Sequence, residues 1–283
     1  MICLPSMVLN HGEGAVDLRK YGPWALIAGG SEGIGAAFAE RLAAAGINLI
    51  LVARRSGPLE ELADRLRTQS EVQIRTVVAD LSRPEAADMV MRSCAEEEIG
   101  LLIYNAGAVP AMVELLDQGE DEALRNTYLN TIGQTAFAAR FGKAMRERQR
   151  GGIILLGSLA YATGVGRLVT YAASKAYSVI LAEGLWYELR PYGVDVLCVV
   201  ATTTRTPSVQ RLGMPLDDPA YPSLEPSQVA DEALAALGHG PVWHMDGSED
   251  IVRSLRAMPR TQAVEMVSRS MEHTIPPVQG GRA

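Results

Sequence analysis

Three cysteines in 283 residues, Cys3, Cys94 and Cys198, are too few, too scattered and odd in number to form a disulfide framework. No Cys-x-x-Cys spacing points to zinc or a redox pair, so a reducing compartment fits best. Nowhere do eighteen apolar residues run uninterrupted, and residues 1–20 lack a basic start followed by an apolar stretch. The reading is therefore a cytoplasmic protein with no membrane span and no leader. Basic residues are not in surplus: 26 Lys and Arg stand against 33 Asp and Glu, a formal charge of −7, which argues against nucleic acid or an anionic membrane as the main partner. No solenoid-type repeat is present. Metal is not expected either, because His239 and His244, with Cys198 elsewhere in the sequence, find no third ligand at a motif spacing.

What is present is a large supply of core. Apolar residues make up 48% and charged residues 21% of the chain, enough to bury a single core at this length. Short apolar runs at 24–28, 47–53, 72–79, 101–104, 153–156 and 194–200 alternate with helical patterns at 36–45, 59–69, 84–98, 121–148 and 170–190. Strands apolar on both faces, each separated by a helix, imply a parallel sheet covered on both sides. The fold class is α/β, a doubly wound Rossmann-type sandwich with about seven parallel strands. Five prolines within 202–226 interrupt the pattern and read as a substrate flap. A helix at 226–237, a last strand at 241–245 and one or two amphipathic helices at 249–273 follow. The domain organisation is an extension at 1–20, one domain at 21–274 and a flexible tail at 275–283.

Between the first strand and helix lies Gly29-Gly30-Ser31-Glu32-Gly33-Ile34-Gly35. Glycines permit a tight turn and let backbone amides reach a pyrophosphate at the helix N-terminus. A tight connection without ligand is the alternative. The second strand ends in Ala53-Arg54-Arg55, with no carboxylate to bind a ribose 2′-hydroxyl. A guanidinium pairs with phosphate in bidentate fashion, so NADP(H) is preferred and NAD(H) remains open. Glu32 near the same phosphate opposes that preference, and two arginines can equally begin a solvated helix. Asp80 and Leu81, after the third strand, are placed to meet adenine, or Asp80 caps the next turn.

Tyr171 and Lys175 are four apart on a helix, which puts an ammonium beside a phenol. In isolation such a pair is usually superficial. Here it follows the glycine turn, Tyr104-Asn105-Ala106-Gly107, Asn130 and Ser158, in that order. Over about residues 22–206 this set resembles the short-chain dehydrogenase/reductase family. The resemblance implies an Asn130, Ser158, Tyr171, Lys175 tetrad. Ser158 would hydrogen-bond a substrate carbonyl, and Tyr171 would exchange the proton during hydride transfer. Lys175 would assist Tyr171 and hold the nicotinamide ribose, while Asn130 would anchor a water linking Lys175 to solvent. Asn105, Ala106 and Gly107 would lie under the adenosine side, and Thr206 would contact the carboxamide.

Two positions depart from the family pattern. Ala28 replaces a threonine before the glycine turn, and Ala201-Thr202 replace Pro-Gly after the sixth strand. Lys20-Tyr21-Gly22-Pro23-Trp24 resembles members that reduce 3-oxoacyl thioesters or hydroxysteroid ketones. Leu212, Met214, Leu216, Tyr221 and Leu224 in the flap suit an apolar carbonyl or alcohol substrate, or simply pack the flap. Family members are mostly homodimers or homotetramers. The preferred function is an NADP-dependent ketone/secondary-alcohol oxidoreductase on a steroid-like or acyl-type substrate. The alternatives are a cofactor-sensing regulator without turnover and a nucleotide-sugar epimerase or dehydratase, for which the span after Thr206 is short.

Overall fold

In a computed structural model, residues 17–109, 112–218, 221–245 and 247–274 are described. Seven strands, β1 (Trp24–Ala28), β2 (Asn48–Ala53), β3 (Ile74–Val78), β4 (Ile99–Tyr104), β5 (Gly151–Leu156), β6 (Val194–Val200) and β7 (Val242–His244), form one sheet in the order β3-β2-β1-β4-β5-β6-β7. Every pairing is parallel. β1, β4 and β5 are buried along their whole length, as their apolar runs require when helices cover both faces. Those helices split the core into two layers, one under α1 (Gly33–Ala44) and α2 (Ser56–Gln69), the other under α6 (Gly133–Arg148) and α7 (Val169–Leu189). The remaining helices are α3 (Ala86–Ser93), α4 (Leu115–Gln118), α5 (Glu120–Thr127), α8 (Pro207–Arg211), α9 (Pro226–Ala236), α10 (Ser248–Ala257) and α11 (Arg260–Thr274). The strand order reverses at β1 and β4, successive strands being added on one side up to β3 and on the other from β4, and such a switch point opens a crevice at the carboxyl ends of the strands.

Two helices differ from the sequence reading. The pattern at 84–98 yields only Ala86–Ser93, because Asp80 holds the preceding turn through Ser82 and Arg83 and the Cys94–Glu97 turn ends the helix. The pattern at 121–148 is not one helix. A π-type turn, Tyr128–Ile132, separates α5 from α6, and Gly133 N–H reaches back to the Tyr128 carbonyl. The 1–20 extension also needs correction at its end. Leu18–Tyr21 is a 3₁₀ turn belonging to the domain, with Tyr21 buried and its hydroxyl 2.6 Å from an Asp195 carboxylate oxygen. Residues 1–16 and the predicted tail lie outside the described residues.

Candidate active site

The glycine turn sits directly after β1. Without a threonine at position 28, its hydrogen bonds come from elsewhere: the Val52 carbonyl accepts from both Gly29 N–H (2.8 Å) and Gly30 N–H (3.1 Å). Asn105, just beyond β4, donates its side-chain amide to the Gly29 carbonyl at 2.8 Å. Gly29 has φ +81°, and a Cβ there would stand 2.8 Å from the Ala106 backbone. A Cβ on Gly35 would meet the Gly29 carbonyl oxygen at 2.0 Å. These contacts leave only glycine as an option, and they open a floor of backbone N–H groups at the start of α1, which has no side-chain cap. That floor fits a pyrophosphate.

A cleft of about 410 Å³ extends from this turn, lined by Ser31, Glu32, Ile34, Arg54, Arg55, Asp80, Leu81, Asn105, Ala106, Gly107 and Thr206 among others. Four arginines (Arg54, Arg55, Arg125, Arg211) face two acids (Glu32, Asp80) across it. Arg55 and Arg211 each approach a Glu32 carboxylate oxygen at 2.5 Å. Burial pushes the Glu32 carboxyl up, but Arg211 and then Arg55 outweigh it and hold it below its ordinary value. Arg54 makes no ion pair among the described residues and is exposed at the rim. Burial likewise raises Asp80, and hydrogen bonds from the Ser82 hydroxyl (2.7 Å) and backbone (3.1 Å) outweigh it and bring it below the ordinary carboxylate value.

Of the four residues expected to form the tetrad, Asn130 and Lys175 converge on Gly107, which lines the cleft, and three of the four are fastened to backbone. Lys175, 8% exposed, donates to the Leu156 carbonyl at 2.7 Å and lies 5.5 Å from the centre of the Tyr171 ring. Its other two N–H donors have no protein partner among the described residues. Asn130, in the π-type turn, grips Ala108 from both sides, accepting from its N–H (3.1 Å) and donating to its carbonyl (3.0 Å). Gly107 lets these side chains converge: a Cβ on it would be 2.9 Å from Asn130 Oδ1 and 3.6 Å from Lys175 Nζ. Ser158 caps the 3₁₀ turn Leu159–Ala162, accepting from Ala160 N–H at 3.3 Å. Leu159 N–H bonds the Ala201 carbonyl, so the Ala201 departure keeps a backbone role beside the serine. Thr206 lines the cleft, its methyl 2.9 Å from where a Gly33 Cβ would be.

Tyr171 also borders a small apolar cluster of Met112, Val165, Leu168 and Ala172, with Val109, Met214, Val267 and Met271 packed against it. Of the five flap residues expected to suit an apolar substrate, Met214 reaches Tyr171's surroundings. Leu212 lines the charged cleft, and Leu224 packs in the main core and bridges to Thr204. The 20–24 segment lies at the opposite end of the sheet, at the amino ends of the strands, tied to Asp195 near the start of β6 through Lys20 and Tyr21.

Sequence reasoning missed Gln134. Fully buried, it donates to the Asn130 carbonyl and, at 2.9 Å, to the Ser178 hydroxyl, joining the turn of Asn130 to the helix of Lys175. An amide on the apolar face of a helix, four residues past Asn130, was the available signal. Tyr104 donates to the neighbouring Leu129 carbonyl at 2.9 Å, so side-chain donors support the wide turn at two successive carbonyls. Also unforeseen were Arg211 and the contribution of α11 to the apolar cluster.

A glycine cradle at a Rossmann switch point, followed by a buried lysine beside a tyrosine, defines a dinucleotide-binding oxidoreductase. Residues 23–215 match the family described as short chain dehydrogenase. The chain is 30% identical over 260 residues to 7beta-hydroxysteroid dehydrogenase of Clostridium sardiniense, covering 90% of this chain and 98% of that one. Among solved structures, one from a study of 7beta-hydroxysteroid dehydrogenase stereoselectivity superimposes with a TM-score of 0.83 at 27% identity, covering 89% and 99% of the two chains. A short-chain dehydrogenase from Sphingobium yanoikuyae in complex with NADPH gives 0.73 at 32% identity, with 92% and 99% covered. The chain belongs to the short-chain dehydrogenase/reductase family and is an NAD(P)-dependent oxidoreductase acting on CH–OH and C=O groups.

Proposed function

We propose that the chain interconverts a ketone and a secondary alcohol on an apolar, steroid-like or acyl-type substrate, with NADP(H) as cofactor and Tyr171 as proton donor and acceptor. The observation that carries this reading is the position of Tyr171, with Lys175 beside its ring and an apolar cluster against it. The relative and the solved structure that concern a 7beta-hydroxysteroid dehydrogenase support the steroid-like class.

The residues fit a nicotinamide dinucleotide, which when bound supplies or accepts the hydride. Gly29, Ser31, Gly33, Ile34 and Gly35 would hold its pyrophosphate, and Asp80, Leu81, Asn105, Ala106 and Gly107 its adenosine. Arg54, which makes no ion pair among the described residues, is the residue best able to bind a 2′-phosphate; Arg55 and Glu32 complete that rim, and Thr206, beside Gly33, would contact the carboxamide.

Tyr171 Oη delivers the proton to the carbonyl oxygen in reduction and removes it in oxidation. The Lys175 ammonium favours the phenolate left behind, and its two remaining donors are available to ribose hydroxyls. Ser158 supplies a further hydroxyl to the same oxygen. Asn130 fixes Ala108, and with it the loop that runs beside Lys175; a water held in its turn would renew the proton on Lys175. The cluster of Met112, Val165 and Leu168 excludes water and receives the substrate's apolar body.

Self-association into a homodimer or homotetramer accounts for the exposed Ile132, Tyr177, Ile180 and Tyr187. Free, buried Cys94 and Cys198 suit a cytoplasmic setting, and among the described residues no helix is long and apolar enough to cross a membrane. Titration of the purified protein with NADPH and NADH, followed by nicotinamide fluorescence, tests the cofactor assignment. Tighter binding of NADPH, reduced about tenfold in Arg54→Ala, is expected. Binding of neither cofactor would sink the reading; where NADPH binds, turnover of fused-ring and acyl ketones tests the substrate class.

A further inference from the structure

The rim that would receive a 2′-phosphate contains Glu32, an acid where an anion has to sit. An isolated carboxylate there would repel the phosphate and would itself accept bonds from the two ribose hydroxyls of NAD. Glu32 is not isolated. Arg55 engages one of its oxygens from the end of β2, and Arg211 engages the other from α8, 179 residues along the chain. Arg211 lines the same cleft as Arg54, and the flap that carries it is pressed onto the glycine turn through Thr206.

We propose that Arg211 is a specificity-determining residue that selects NADP(H) by occupying Glu32, so that cofactor choice depends on the flap lying closed over the turn. This inference rests on the NADP(H) reading above. Each partner has a separate task. Arg54 stays free for the phosphate, Arg55 neutralises one side of the acid, and Arg211 neutralises the other only while α8 is in place. Lifting α8 returns a carboxylate acceptor to the rim and shifts the balance toward NAD(H). Arg211 acts through Glu32 and need not touch the cofactor.

Four proteins distinguish this from a simple loss of charge: wild type, Arg211→Ala, Glu32→Gln and the double variant, each titrated with NADPH and with NADH. Arg211 is half exposed, so its replacement leaves the core intact. Arg211→Ala is expected to weaken NADPH about tenfold (~1.4 kcal/mol) while NADH stays within about twofold or tightens. Glu32→Gln should bind NADPH at least as tightly as wild type, and adding Arg211→Ala to it should cost less than about threefold, because the acid that Arg211 masks is gone. Equal weakening of both cofactors by Arg211→Ala overturns the proposal, as does a full tenfold loss of NADPH binding in the double variant relative to Glu32→Gln. A wild type that prefers NADPH with a preference Arg211→Ala does not move sinks this inference alone. A wild type indifferent between the cofactors sinks the NADP(H) reading and the inference together.

Discussion

The two ends of the cleft are built on different principles. Around the tetrad, Lys175 and Asn130 bond backbone groups of Leu156 and Ala108, and Gln134 bonds the backbone of Asn130. At the end of the cleft beside the glycine turn, Arg55 and Arg211 each bond Glu32, side chain to side chain, at the rim. Backbone partners are fixed once the fold forms, so Lys175 and Asn130 have one arrangement. Exposed side-chain pairs contribute little to stability and exchange partners readily, which suits an end that has to recognise and release a ligand. One end should be brittle toward substitution and the other tunable.

The largest effect is expected at the brittle end. Tyr171→Phe removes the hydroxyl we propose as proton donor and leaves the ring's packing, so turnover should fall about 10³-fold with NADPH affinity within about twofold of wild type. Turnover and cofactor titration on the same sample check this, and unchanged turnover would favour a cofactor-sensing role. Next is Gln134→Leu, which conserves bulk but leaves the Asn130 carbonyl and Ser178 hydroxyl short of a buried donor. A loss of about 1–3 kcal/mol in stability is expected by denaturant unfolding. The acid limb of the kcat profile should move as well, and a purely structural role for Gln134 would leave that limb in place.

The smallest effect concerns His244, at the end of β7, whose Nε2 is 2.8 Å from the hydroxyl of Tyr161 in the turn that follows Ser158. Burial lowers the His244 pKa below its usual 6.5, and Arg256 adds to this against an opposing pull from Glu249. The folded protein therefore binds fewer protons here than the unfolded chain. Stability from this group is present above about pH 6.5 and is lost as pH falls toward the lowered folded value. Melting curves at pH 7.5 and 5.5 should show a larger drop for wild type than for His244→Gln; equal drops would remove His244 from the account.

The contrast between the ends also explains what could be read from sequence. The parallel, doubly wound sheet follows from alternating apolar runs, whereas Asn105, Asn130 and Ser158 were legible only through the family resemblance and Tyr171 with Lys175 through their four-residue spacing on a helix. The break between α5 and α6 was illegible because Tyr128–Ile132 keeps helical spacing; what supports the wide turn is Tyr104 and Gln134, which periodicity does not weigh. Arg211 was illegible for another reason. It lies 179 residues from Glu32, in a proline-rich stretch where pattern predicts only an irregular loop. Likewise, nothing in the spacing of α11 announced that Val267 and Met271 pack with Tyr171.

The flap has a closed neck: Arg205 N–H bonds the Leu224 carbonyl and Leu224 N–H bonds the Thr203 carbonyl, each at 2.8 Å, around a parallel bridge of Thr204 with Leu224. Entry and exit are thus pinned side by side before the intervening chain takes any shape. Closing a longer or shorter loop across so narrow a gap changes the entropy by only about 0.6 kcal/mol per doubling of length. Past Arg211, which has to keep its hold on Glu32, the chain up to the neck is then free to lengthen or shorten at little entropic cost while the sheet and the turns that hold Lys175 and Asn130 stay as they are.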